Sequence, residues 1–334
     1  MTALAELTGW ADGPALETAA SVVERITALG APVGVDALAL LVERADIWSY
    51  GRNGRISCGG ATRLMRAADG WIALSLTRAD DEDLVPAWIG CEPNWSAIEA
   101  RVTTQSTSEL VASGRLFGLP IAALGERRPG PPHTATCFGD AAPLHRTPVV
   151  VDLSSLWAGP LCTRVLREHG ARVIKVESRT RPDGARKGPA AFFELMHAGK
   201  EFVTIDFTRD ALLDLLLAAD VVVEGSRPRA LEQLGIDARE VVERGPRVWL
   251  SITGHGRDQP QREWVGFGDD AAVAGGLVAW WQGTPCFVGD AVADPLTGIA
   301  GAAAVLDALR DGGRWLIDCN LAGVAAYVAA ESSQ

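Results

Sequence analysis

The residue best suited to do chemistry in this chain is a carboxylate, Asp294. It lies in the stretch Cys286-Phe287-Val288-Gly289-Asp290-Ala291-Val292-Ala293-Asp294-Pro295-Leu296-Thr297-Gly298, and a largely small, apolar run follows from Ile299 to Leu309. Asp followed by Pro marks a helix start. The spacing predicts Asp294 at the N-cap and Pro295 at the first helical position, where a missing N–H costs nothing. Pro285 to Val288 reads as a short buried strand, so Asp294 is expected at a strand-to-helix corner, a usual place for ligands in α/β folds. The same Asp-Pro pair also serves as a plain helix cap, so its surroundings must decide. Asp290 is a rival carboxylate without the helix-start context.

Other chemistries lack their residues. The six cysteines (58, 91, 137, 162, 286, 319) show no C-x-x-C spacing. In a chain of this length they read as buried free thiols, so neither disulfides nor a zinc site is expected. The five histidines (133, 145, 169, 197, 255) are dispersed, with no H-E-x-x-H. No G-x-S-x-G elbow, P-loop or G-x-G-x-x-G is present, so metal hydrolysis, serine hydrolysis and NTP chemistry have no signature. A net charge of −11 argues against general affinity for nucleic acid or anionic membrane. Met1 to Leu16 has no basic n-region or signal-peptide core, and stretches such as Ala271 to Trp281 are too short and glycine-rich to span a bilayer. The cytoplasm is the expected location.

With 334 residues, 48% of them hydrophobic, the chain is long enough for two domains with a packed core. Helical patterns cover 14–30, 35–48, 81–87 and 107–115. Gly59 to Leu76 reads as a hairpin turning at Ala68-Asp69-Gly70. Together these predict a smaller α+β domain over 1–125. Prolines at 129, 131, 132, 143 and 148 mark 126–148 as a linker. From 149 to 334, near-continuous apolar strands alternate with helices: 149–153, 172–177, 203–207, 220–224, 248–253 and 315–319. That pattern predicts an α/β fold, a Rossmann-like, mainly parallel sheet with helices on both faces.

In such a sheet the ligand crevice lies beyond the carboxyl ends of the strands. The loops there are 154–160, 178–200, 225–229 and 254–267. All three lysines (Lys175, Lys187, Lys200) fall in or beside the second loop, and Arg172 to Lys187 holds six basic residues against two acidic ones. A phosphate-bearing ligand needs such a field, although a solvated surface loop would show the same composition. Arg227 and Arg229 are expected to point toward the same crevice.

From Val149 to about Leu321 the chain resembles the family III CoA-transferases, which include carnitine-pathway and bile-acid CoA-transferases and a racemase branch. The resemblance is carried by Val151-Asp152-Leu153 with Trp157-Ala158-Gly159-Pro160-Leu161, by Gly170-Ala171-Arg172-Val173-Ile174-Lys175-Val176-Glu177, and by Ala198-Gly199-Lys200 with Val203-Thr204-Ile205-Asp206. Further matches are Ala219-Asp220-Val221-Val222-Val223-Glu224 with Arg227-Pro228, Leu231 and Leu234-Gly235, then Ser251-Ile252-Thr253-Gly254 with Gly256, and Ala293-Asp294 with Thr297-Gly298. Each is weak alone, but six in the right order and spacing make a specific match.

The resemblance implies that Asp294 is a covalent nucleophile passing CoA from an acyl-CoA donor to a small carboxylic acid through aspartyl anhydride and aspartyl-CoA thioester intermediates. Such a weak nucleophile needs a site that positions it and shields the intermediates from water, and a helix N-terminus would favour its ionised form. It also implies coenzyme A as substrate with no metal, held by the basic loop, Trp157, Arg179, Lys200, Gly225, Ser226, Arg227 and Leu234, and a homodimer. Several positions depart from the family. Tracts resembling its small domain, 7–14 and 59–76, here precede the Asp294 region, as in a permuted chain or half of a duplicated ancestor. His197 and Ala198 replace an Asn and an Arg, and Gly225-Ser226 replaces Asn-Phe. The racemase branch has a His where this chain has Phe267, and His255 nearby reads as a surface or structural residue. Proton transfer as in an acyl-CoA racemase is therefore the second reading, and a non-catalytic CoA-binding relative the third.

Overall fold

The computed structural model describes residues 14–330. The tract expected at 7–14 lies outside them apart from Pro14. Two helices, α1 (Pro14–Gly30) and α2 (Ala37–Trp48), open the fold. The Asp36 carboxylate caps α2 by accepting from the amides of Leu38 and Ala39, 3.1 Å each, which satisfies donors that no helical carbonyl can reach. A three-stranded antiparallel sheet follows: β1 (Thr62–Arg66), β2 (Trp71–Ser75) and β3 (Ile121–Ala123), in that order. Helices α3 (Ala79–Ile89), α4 (Trp95–Val102) and α5 (Thr107–Leu116) join β2 to β3. Ile72, Leu74, Val85, Ile98, Leu110 and Ile121 form their shared core, and all are fully buried.

The larger part is a seven-stranded sheet. Its strands are β4 (Thr134–Gly139), β5 (Val149–Asp152), β6 (Arg172–Ser178), β7 (Glu201–Ile205), β8 (Val221–Glu224), β9 (Val248–Thr253) and β12 (Arg314–Asn320), with β10 (Val278–Trp281) and β11 (Thr284–Phe287) forming a separate ribbon. The order is β4-β12-β9-β8-β5-β6-β7, and every pairing is parallel except that of β4 with β12. Connecting helices are α6 (Ala158–Glu168), α7 (Ala190–His197), α8 (Arg209–Ala218), α9 (Arg229–Glu232), α10 (Ala238–Arg244), α11 (Gly268–Ala274), α12 (Ala293–Asp311) and α13 (Leu321–Ala329). Buried apolar clusters lie on both faces of the sheet, which is why β5, β8 and β9 read as unbroken apolar runs. Among the described residues no single helix is long and apolar enough to cross a membrane.

The structure corrects several expectations. A strand, β4, lies within the proline-rich 126–148 stretch and edges the main sheet. The Pro285–Val288 strand belongs to the β10–β11 ribbon rather than the parallel sheet. The Ala271 to Trp281 stretch, too short to span a bilayer, divides between α11 and that ribbon, leaving Trp280 50% and Trp281 62% exposed. All six cysteines are free thiols, but only Cys162 and Cys319 are buried, and Cys137 is exposed.

Helix α12 packs closely on α6. A Cβ at Gly298 would stand 2.6 Å from the Ala158 carbonyl oxygen, so only glycine permits that approach. The contact brings the start of α12 against the loop after β5. The small sheet docks nearby: Thr62 and Ser75 hydroxyls lie 2.9 Å apart, and Ser75 donates to Asp270 at 2.7 Å.

Candidate active site

Asp294 is not the N-cap of its helix. Val292 holds that position with near-helical backbone angles, and Asp294 is the second helical residue. Its amide donates to the Ala291 carbonyl at 2.9 Å. The carboxylate is therefore not spent capping α12, and it is partly exposed. Among the described residues no side-chain donor is within hydrogen-bond distance of it. Gly268 at the start of α11 faces it so closely that a Cβ there would stand 2.5 Å from Asp294 Oδ2.

The neighbouring carboxylates are committed. Asp290 is almost fully buried and paired with Arg44 of α2, whose Nε donates to Oδ2 at 2.6 Å and whose Nη2 donates to Oδ1. Asp269 accepts from the Ala291 amide at 2.9 Å and from Thr62 Oγ1 at 3.4 Å. Asp270 accepts from Ser75 and from the Phe267 amide at 3.0 Å. One arginine thus faces a group of carboxylates, and burial raises the pKa of Asp294, Asp269 and Asp270. Asp294 is pushed up to about 7, mainly by burial, with Asp269 and Asp290 adding to it and Arg44 opposing. Asp269 rises to about 6 through burial and Asp290, and Asp270 to about 7 chiefly through burial.

The crevice expected at the carboxyl ends of the strands lies where the strand order reverses, between β5 and β8. The two loops meet there, because a Cβ at Gly225 would stand 3.1 Å from that of Ser154. Trp157, just after β5, packs against Arg44 and Phe192. Its buried ring lies 4.9 Å from the Arg44 guanidinium and edge-on to Phe192 at 5.7 Å, and its Nε1 has no partner. Ser226 donates to Glu224 at 3.1 Å. Arg227 donates weakly to the Glu263 carbonyl at 3.4 Å. Burial, together with Arg229, Arg78 and Arg181, lowers its pKa.

The other expected ligand residues are placed differently. Lys200 has a fully buried side chain, held by Asp152 at 3.1 Å, the Pro160 carbonyl at 3.0 Å and Thr163 at 2.7 Å. It cannot touch a ligand in the crevice. Leu234 is partly buried against the apolar cluster on its side of the sheet. Arg179 is exposed and pairs with Asp206 at 3.3 Å. The basic loop is largely neutralised: Arg172 pairs with Glu201, Lys175 with Asp183 and Arg186 with Glu177. Of its six cations, Arg181 and Lys187 have no carboxylate partner among the described residues. His255 is internal, edge-on to Trp264 at 5.5 Å and pushed down to about 3 by burial with Arg115 and Arg127 nearby.

Sequence reasoning missed Arg44, Asp269 and the close approach of Gly268. Arg44 lies 246 positions from Asp290, so no local spacing could reveal the pair. Asp269-Asp270 after a glycine did offer a signal, two adjacent acids at a helix start in an otherwise apolar stretch. Among the described residues no group of three or more His, Cys, Asp or Glu side chains is placed to hold a metal ion.

Comparison with known proteins places these residues among relatives. A family profile described as CoA-transferase family III matches residues 148–334. An acyl-CoA transferase of Fusarium pseudograminearum is 33% identical over 199 residues, covering 52% of this chain and 44% of that protein. A succinyl-CoA–D-citramalate CoA-transferase of Chloroflexus aurantiacus is 30% identical over 176 residues, covering 48% and 44%. A solved structure of a hypothetical protein from Mycobacterium tuberculosis is 30% identical, with a TM-score of 0.50, covering 56% of this chain and 57% of the other. The chain spans about half the length of the curated relatives it matches.

Proposed function

This chain belongs to CoA-transferase family III, and we propose that it moves CoA from an acyl-CoA to a small carboxylic acid with Asp294 as nucleophile. The observation that carries this reading is the state of that carboxylate. It is partly exposed and, among the described residues, free of side-chain donors, while Asp290, Asp269 and Asp270 are each bonded elsewhere.

The covalent sequence balances as follows. An Asp294 oxygen attacks the thioester carbonyl, and the C–S bond breaks to give a mixed anhydride and CoA thiolate. The thiolate attacks the aspartyl carbonyl of the anhydride, releasing the donor carboxylate and leaving an aspartyl-CoA thioester. The acceptor carboxylate then attacks that thioester, forming a second anhydride and expelling thiolate. Thiolate attack on the acceptor carbonyl gives the new acyl-CoA and restores Asp294. No net proton is needed, so the site must supply an ionised nucleophile, positioning and shelter from water rather than an acid–base pair. At pH values above about 7 Asp294 is mainly the carboxylate this scheme requires. Arg181 and Arg227, without ion-pair partners among the described residues, are available to the phosphates of CoA.

The test is incubation with a panel of acyl-CoAs, acetyl and succinyl among them, followed by intact-mass analysis. A CoA-sized or acyl-sized adduct on the peptide holding Asp294, absent in Asp294→Asn, is the expected result. Tight CoA binding with no adduct from any donor would instead mark a binding protein.

A further inference from the structure

The cation of the site comes from outside the family-matched region, on α2. Its guanidinium lies over two aromatic rings, Trp157 at 4.9 Å and Trp48 at 5.6 Å, while Nε and Nη2 along one edge bond Asp290. We propose that Arg44 is the positioning residue of the Asp294 nucleophile: it clamps the rival carboxylate Asp290 out of the reaction and supplies the positive charge that lets Asp294 act as an anion.

This deepens, and rests on, the reading of Asp294 as nucleophile. The geometry asks for arginine. A planar fork can chelate a carboxylate and stack on indole at once, whereas a lysine ammonium offers one point charge. Among the described residues the surrounding elements provide no substitute. Facing Asp294 are Asp269 from α11 and Asp290 from the loop before α12, with Asp270 beside Asp269. Tyr50 and Cys58, from the segment after α2, face Arg44 and Asp290. Burial raises both, Cys58 to about 11, so both are neutral near pH 7. Among the described residues Arg44 is the cation that acts on Asp294, and Asp290 and Asp269 act against it.

A purely structural pair and a charge-setting pair respond differently when broken. Losing either partner of a structural pair harms the fold in the same direction. If Arg44 sets the charge of Asp294, losing Arg44 and losing Asp290 must move Asp294 in opposite directions. The experiment uses the full chain labelled with ¹³Cγ-Asp, with the Asp294 signal assigned by its absence in Asp294→Asn. Arg44→Gln is expected to move the Asp294 midpoint up by about 1 pH unit, and Asp290→Asn to move it down by a similar amount. The acid limb of adduct formation should follow each shift, and Arg44→Lys should recover part of the first.

Shifts of the same sign in the two variants, or an unmoved midpoint in Arg44→Gln, overturn the proposal. Should Arg44→Gln fail to fold, Arg44→Gln combined with Asp290→Asn decides, since it leaves no unpaired buried charge: an Asp294 midpoint no higher than in Asp290→Asn alone overturns the proposal. The titration needs no turnover, so opposed shifts in a chain that forms no adduct would keep Arg44's hold on Asp294 and remove only the nucleophile reading.

Discussion

Two buried groups of charges lie close together in this molecule, and they are built on opposite rules. Under the crevice, Lys175 pairs with Asp183 at 2.9 Å and Lys200 with Asp152 at 3.1 Å, all four side chains at most 1% exposed. Two cations meet two anions, and Ser154 and Thr163 hydroxyls complete the bonding of Asp152. Burial opposes ionisation of Asp152, but Lys175 and Lys200 outweigh it and hold the carboxyl well below the usual range. Around Asp294, Arg44 faces Asp290, Asp294 and Asp269, and burial lifts Asp294 and Asp269 instead. Matched charges make a permanent ionic floor. Unmatched charges leave the Asp294 carboxylate close to its midpoint near neutral pH, so a small change in its surroundings decides how much of the ionised nucleophile is present.

The hardest break falls on the floor. Lys200→Met leaves Asp152 short of a buried partner and should destabilise the fold by about 3–5 kcal/mol, read from the midpoint of urea unfolding at unchanged slope. A loss under about 1 kcal/mol would mean that water reaches the pair and that the contrast is false. Next comes Gly268→Ala, which puts a methyl group 2.4 Å from the Ala291 carbonyl oxygen and 2.5 Å from Asp294 Oδ2. Backbone must shift, at a cost of about 1–3 kcal/mol, and adduct formation should fall further than stability does because the nucleophile itself is displaced.

Removing the unmatched charge should have the reverse sign. The folded-state pKa of Asp294 is raised, so its contribution to stability is complete below the ordinary Asp value and is lost as pH rises to about 7. Asp294→Asn never ionises and escapes that loss. Thermal unfolding should show the variant equal to the parent near pH 4. At pH 8 it should be more stable, by about 1–2 kcal/mol once partial exposure is discounted, while adduct formation is abolished. Equal stability at both pH values would place Asp294 in the floor's class of satisfied carboxylates.

The same contrast explains what could be read in the sequence. Strands β5, β8 and β9 were legible because both faces of the sheet are covered, which forces apolar runs such as Val221–Glu224. Strand β4 was hidden among prolines because residues 134–137 are exposed and carry no apolar signature. Asp294 was legible through Asp-Pro and the ordered matches around it. Its helix position was off by two residues because Asp-Pro fits anywhere in the first turn of a helix as well as at the cap. Charge was the least legible property. Sequence displays the lysines and arginines of 172–200 but not the carboxylates that neutralise them, so Lys200 looked like a ligand contact and is an internal strut. Arg44 looked like an ordinary helix residue, since its meaning depends on a fold that joins positions 246 apart.

The smallest effect expected is at Arg179, which tests whether local charge alone makes a binding site. Arg179 and Asp206 are each about two-thirds exposed and meet through one 3.3 Å contact. Solvent and salt screen such a pair, and holding two long side chains together offsets most of what remains. Arg179→Ala should therefore change stability by less than about 0.5 kcal/mol. CoA affinity, measured by calorimetry, should stay within about twofold of the parent, while Arg227→Ala weakens it about tenfold through loss of a charge-assisted contact. A tenfold loss in Arg179→Ala would show that Arg179 leaves Asp206 for the ligand. The 172–200 loop would then rearrange on binding, and the division between a neutralised loop and an open site would hold only for the unliganded chain.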